Sequence, residues 1–213
     1  MLSADAIVKL HDYLTHAWHL PRDGSAQAQT NGQGKTDTED AGGEWLGRVA
    51  RQHRANFDLW HIEDEARTPG VSDAALADVK RRIDCTNQLR NDLAEELDWT
   101  LIKWLKGQSL PNTDAPLNSE SPGLMIDRLS IQALKIYHTR DETERWDAPT
   151  GHGNRNRERL AILEEQRVDL AGCLDSLWSD TLAGRRRFKL YRQLKMYNDP
   201  TLNPAIYGSR VVD

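Results

Sequence analysis

Residues 121–138 read SPGLMIDRLSIQALKIYH, an apolar stretch that nevertheless carries Asp127, Arg128, Lys135 and His138. At a period of 3.6 residues, Asp127, Ile131, Leu134 and His138 share one helical face, with Lys135 beside it. Three other segments show the same pattern. The stripe through Leu76, Val79, Ile83, Asn87, Arg90, Leu97, Leu101 and Leu105 turns Asn87 and Arg90 inward, and the stripe through Leu160, Leu163, Arg167, Leu170, Leu174 and Leu177 does so for Arg167. Phe57, Trp60 and Asp64 align on a fourth segment, with His61 and Glu65 on its neighbouring face. An unpaired buried charge costs several kcal/mol, so these groups either pair internally, for instance Arg90 with Asp64 or Asp127, or converge on a ligand. Cations, carboxylates, an amide and an imidazole drawn from four helices are the mixture that a small anionic ligand requires. On this reading Asn87, Arg90, Lys135 and Arg167 bind the ligand, and Asp64, Asp127 or His138 serves as general acid or base.

A second cluster lies near the C-terminus. GRRRFKLYRQLKMYNDP, residues 184–200, gathers Arg185, Arg186, Arg187, Lys189, Arg192 and Lys195 around Phe188, Tyr191 and Tyr197. Guanidinium groups offer paired donors to phosphate, and the aromatic rings could stack on a base or sugar, which singles out Arg187 and Arg192 as ligand-binding residues. The alternative is a solvated face that pairs with acidic neighbours. His16 and His19 have metal-ligand spacing close to His11, but no cysteine or carboxylate cluster accompanies them and no metal site is assigned. HIEDEAR and EELD resemble weakly the acidic pairs with which helical nucleotide pyrophosphohydrolases hold Mg²⁺, and RRIDCTNQLRNDL resembles, more weakly still, the first helix of helical chorismate mutases. There is no phosphate-binding glycine loop, dinucleotide fingerprint or serine nucleophile elbow.

The elements that must position these groups are helices. Ser3 caps a first helix to about residue 19, a second covers about 44–67, and a third runs from the Ser72 cap to about 106, stopped by Gly107. Ser121 and Pro122 open the fourth, about 155–183 forms a fifth, and the basic run about 184–198 forms a sixth. No alternating strand pattern competes, so the expected fold is an all-α bundle of five to six helices in a single domain with long central helices. The expected organisation is an N-terminal helix over 1–20, a flexible Gly-rich loop over 21–43, the bundle over 44–207 and a tail over 208–213.

Lys plus Arg number 28 against 33 Asp plus Glu, a net charge of −5 that argues against nucleic acid as the partner. Cys85 and Cys173, the only cysteines, fit packing roles in a reducing compartment. The first 20 residues lack a signal-peptide pattern and no stretch is apolar enough to span a membrane, so a cytoplasmic location is expected.

Four ordered motifs, NFDLWHIEDEAR, RRIDCTNQLRNDLAEELD, LNSESPGLMIDRLSIQALKIYH and RRRFKLYRQLKMYNDPTLNPAIY, resemble the bacterial family catalogued as domain of unknown function 4254, over roughly residues 45–207. The resemblance implies an α-helical bacterial protein of unassigned activity, in a family whose members are often encoded near glycosyltransferase and lipopolysaccharide genes. It assigns no cofactor and no catalytic residue. Combined with the anion-binding pattern, the expected function is binding or acting on a phosphorylated or nucleotide-linked sugar in envelope glycan biosynthesis. The alternatives are a Mg²⁺-dependent nucleotide pyrophosphohydrolase and a non-catalytic accessory protein of a glycosyltransferase.

Overall fold

The helix ends follow local chemistry. Ser3 Oγ accepts the Ala6 N–H at 3.4 Å and Ser72 Oγ accepts the Ala75 N–H at 3.3 Å, each satisfying an orphan donor of a first turn. In a computed structural model, which describes residues 2–20, 37–192, 194 and 201–204, these caps open two of five long helices. The five are α1 (Ala4–His19), α2 (Asp37–Glu65), α3 (Asp73–Lys106), α4 (Pro122–Glu144) and α5 (His152–Leu182), packed as a single-domain all-α bundle. The longest, α3, has 34 residues. Among the described residues, no helix is long and apolar enough to cross a membrane.

The helix read from SPGLMIDRLSIQALKIYH lies at the centre: α4 touches each of the other four. Its Met125, Ile126 and Leu129 join Leu97, Leu101 and Leu105 of α3 and Leu170, Leu174 and Leu177 of α5 in the main core. The first helix is part of the bundle rather than a separate element, since Ala4 and Ile7 are fully buried in the same core. Gly123 lets two helices approach closely. A Cβ there would stand 2.3 Å from the Ala94 carbonyl oxygen and 2.8 Å from Asp98 Cγ, so only glycine lets the start of α4 lie against α3.

Three expectations about the elements need correction. The second helix begins at Asp37 rather than 44, which removes 37–43 from the predicted loop; the rest of that segment, 21–36, lies outside the described residues, as does the 208–213 tail. Ser121 stands at the N-cap of α4 without capping it, because its hydroxyl donates to Asp98 Oδ2 while Asp98 Oδ1 accepts the Gly123 N–H at 2.7 Å. Asp98 of α3 thereby does the capping across the helix interface. The basic segment 184–192 is not a helix. Gly184, at φ +69°, ends α5 in a left-handed turn, and Arg185 and Arg186 return their N–H groups to the Asp180 carbonyl. The chain then runs beside 115–118: the Arg187 N–H donates to the Pro116 carbonyl at 3.0 Å and the Asn118 N–H to the Arg187 carbonyl at 2.7 Å. This seats Phe188, only 2% exposed, in the core.

Candidate functional site

Asp127 is the focus of the inward polar groups. Its Oδ1 accepts from Gln52 Nε2 at 2.6 Å and Asn56 Nδ2 at 2.9 Å, and its Oδ2 from Arg90 Nη2 at 2.9 Å. Asn56 also reaches Ser130 Oγ at 2.9 Å, Ser130 Oγ lies 2.7 Å from His53 Nδ1, and His53 Nε2 lies 2.9 Å from Thr15 Oγ1. One hydrogen-bonded chain therefore crosses the bundle from α3 to α1. His53 is held between two stacked rings, His11 at 4.5 Å and Trp18 at 5.3 Å. Burial raises the Asp127 carboxyl above the usual range, against the opposing pull of Arg90, Asn56 and Gln52. Ser130 and His53 have the spacing of a nucleophile and its base, yet both are fully buried, so they serve as links of the chain. The α2 contributors were legible: Trp45, Val49, Gln52, Asn56 and Leu59 form a 3,4-spaced stripe.

Buried titratable groups make stability pH-dependent in two opposing directions. Burial drops the His53 imidazole to about 4 and raises the Asp98 carboxyl to about 7. Below its ordinary range, the unfolded His53 takes a proton that the folded form refuses, so this group removes stability as pH falls from about 6.5 to 4. Asp98 acts the other way. The unfolded carboxyl ionises near 4 while the folded one keeps its proton to about 7, so its contribution declines as pH rises through that window. Asp98→Asn keeps an acceptor for the Gly123 N–H, reverses the Ser121 bond so that the amide donates to the hydroxyl, and removes the second effect. Urea unfolding across about pH 4 to 7 should show stability rising with pH more steeply in the variant, by up to roughly 1.4 kcal/mol per pH unit. Parallel slopes would show that Asp98 ionises normally.

Arg90 opens onto a cleft of about 340 Å³ between α2, α3 and α4, lined by Asn56, Leu59, Trp60, Glu63, Asp64, Arg67, Arg90, Ile131 and Leu134. Leu59, Ile131 and Leu134 make an apolar wall, while two guanidinium and two carboxylate groups ring it. Arg90 Nε and Asn56 Oδ1 are buried without a hydrogen-bond partner among the described residues. A donor and an acceptor on two residues that line the cleft thus stand unused. Asn87, one turn before Arg90, is half-buried and does not line it.

The remaining sequence candidates go elsewhere. Arg167 Nη1 binds both oxygens of Asp12 at 2.7 and 2.9 Å, joining α5 to α1. Lys135 and His138 border a neighbouring cleft of about 370 Å³, which Trp60 separates from the first by lining both. Arg187 Nε donates to the Ala115 carbonyl at 2.7 Å, and Arg192 lies with Asp92, Glu95, Glu96 and Trp99. The described part of the basic run, 184–192, is thus an anchored strap whose Arg185 and Arg192 face acidic residues; Lys195 and Tyr197 lie outside the described residues. Arg128, one of the four ionisable groups of α4, points outward and pairs with Glu120 at 2.8 Å. The acidic motifs that resembled a Mg²⁺ site do not converge: Glu65 pairs with Arg82, Glu96 with Arg48 and Arg51, and Asp98 caps α4.

A family model described as a protein of unknown function, DUF4254, matches residues 47–190, well over half of the chain. The chain belongs to the DUF4254 family. No curated protein and no solved structure shows a significant match. The DUF4254 segment contains the whole cleft and every Asp127 partner, whereas Thr15 and Asp12 on α1 lie outside it. One ring nitrogen each of His19, His61 and His138 lies within 4.8 Å of the others, so the DUF4254 segment supplies two members of this cluster and α1 the third. The histidine spacing visible on α1 therefore divides: His19 joins the cluster, His16 tilts against Tyr137 at 6.5 Å, and His11 is buried on His53.

Proposed function

We propose that the Arg90 cleft binds a phosphorylated or nucleotide-linked sugar, in the setting of envelope glycan biosynthesis. The observation that carries the reading is the unpartnered donor and acceptor, Arg90 Nε and Asn56 Oδ1, buried beside an indole and an apolar wall. A sugar hydroxyl both donates and accepts, so it satisfies such a pair, and the C–H face of a sugar or base packs on Trp60 and Leu134. Asp64 is exposed at the rim and is the acid-base candidate that lines the cleft. Arg67, exposed at the mouth, pairs among the described residues with half-buried Glu63 and is available to a phosphate. On this reading Asp127, which does not line the cleft, orients Arg90 rather than serving as acid or base.

Calorimetry with nucleotide sugars, sugar phosphates and free nucleotides, with and without Mg²⁺, tests the reading. A sugar phosphate or nucleotide sugar should bind without metal. Arg67→Ala should weaken it about tenfold, roughly 1.4 kcal/mol. The melting temperature should barely move, since an exposed ion pair contributes under about 1 kcal/mol. Unchanged affinity in the variant would remove Arg67 and with it the phosphate end of the cleft. Binding only with Mg²⁺ would favour the pyrophosphohydrolase, and silence across the panel the accessory protein.

A further inference from the structure

We propose that His19, His61 and His138 form a three-imidazole site for a divalent transition-metal ion, zinc in the first instance. These histidines are set apart from the Arg90 cleft by Trp60, so an ion there does not depend on a sugar in the cleft. The three rings come from the C-terminal end of α1, from α2 and from α4, with ring centres 5.2, 5.0 and 5.9 Å apart. Tetrahedral zinc holds imidazole nitrogens about 2.0–2.1 Å from the ion, hence roughly 3.4 Å from each other. From a cluster already within 4.8 Å, closure needs side-chain shifts on the order of 1 Å.

The second observation is polar bookkeeping. Nε2 of His19, of His61 and of His138 is buried without a hydrogen-bond partner among the described residues. One stranded imidazole nitrogen is ordinary, but here each of three rings whose nitrogens approach within 4.8 Å of one another carries one, a set of lone-pair ligands without an ion. For His19 the tautomer follows from chemistry: Nδ1 stands 2.7 Å from the Thr15 carbonyl, which can only accept, so Nδ1 carries the proton and Nε2 the lone pair. A backbone carbonyl on the far nitrogen is the usual outer support of a metal-bound histidine. The rings are also held in place. Tyr137 stacks on His19 at 4.2 Å, Trp60 on His138 at 4.8 Å and 2°, and Phe57 meets His19 and His61 edge-on at 4.9 and 4.5 Å.

The charge state suits a cation. Burial, and then the neighbouring imidazoles, lower the pKa of His61 and His138, the direction that favours the neutral form a ligand needs. Asp64 acts on both rings, Asp58 on His61 and Asp141 on His138, supplying negative potential that outnumbers the one opposing cation, Arg54 beside His61. Three protein nitrogens leave the fourth tetrahedral position to solvent or substrate, the arrangement of zinc sites that do chemistry rather than hold structure.

The test uses the untagged full-length chain, stripped of metal, with Zn²⁺ and Co²⁺ as probes. One equivalent of Zn²⁺ should bind by calorimetry and raise the melting temperature, while Mg²⁺, which prefers oxygen ligands, should do neither. Co²⁺ should give the intense visible bands of a four-coordinate ion. His138→Gln and His61→Gln should each weaken Zn²⁺ by at least about 100-fold, beyond the loss typical of an outer-shell partner, whereas His16→Gln should leave binding unchanged. Circular dichroism establishes that each variant is folded; if one is not, the nitrogen contacts in the wild type are read from the Co²⁺-shifted imidazole proton resonances. Absence of stoichiometric Zn²⁺ binding, or binding that survives both cluster substitutions, overturns the proposal.

Discussion

Arg90→Met should destabilise the bundle by about 3 kcal/mol near pH 8 and by visibly less near pH 4. The physical reason is the position of Asp127, only 7% exposed and accepting from Arg90, Gln52 and Asn56. Without the guanidinium, the carboxylate keeps two amide donors but loses the one cation it meets among the described residues. Burial already raises this carboxyl, so removing Arg90 raises it further, and at low pH the group answers by taking a proton. The cost of the substitution therefore grows as pH rises through the carboxyl's folded pKa, the sign expected when ionisation is resisted by the folded state. Urea unfolding of both proteins at the two pH values measures it. A pH-independent cost would mean that Asp127 stays ionised without its partner.

Gly123→Ala should be among the most damaging single substitutions in the chain, costing about 3 kcal/mol or more. The added Cβ meets a backbone oxygen, Ala94 O at 2.3 Å, and not the movable end of a side chain. Relief requires α4 to move away from α3, which pulls Asp98 from the Gly123 N–H and Ser121 from Asp98. The overpacking and the lost cap act together. A melting temperature close to that of the wild type would show that the two helices can separate at little cost, and would weaken the view of α4 as a tightly held centre.

The polar groups within α4 owe their roles to different neighbours. Asp127 is turned to α2 and α3, His138 to α1 and α2, Arg128 outward to Glu120, and Lys135 to the solvent-exposed cleft beside α5. A helix that touches all four others presents a different partner on each side, which explains how one short segment serves several polar sites without a single shared one.

Much of this was determined by the sequence itself, because its causes are local. Caps at Ser3 and Ser72, the stop at Gly107 and a 3.6-residue stripe depend on residues within a few positions of one another, so the all-α class, most helix ends and the inward facing of Asp127 and Arg90 could be read directly. Partner choice could not. Arg90 meets Asp127 rather than Asp64, Arg167 meets Asp12, and His19 meets His61 and His138, through the axial offset and crossing of helices far apart in the chain, about which periodicity is silent. Local preference was even overruled at 184–192, where a left-handed glycine, the backbone pairing of Arg187 with 116–118 and the burial of Phe188 together outweigh helix propensity. Tertiary contact decided the site for the same reason: a buried donor or acceptor is satisfied by whatever packing brings to it, and only the packed bundle shows which nitrogens remain unsatisfied.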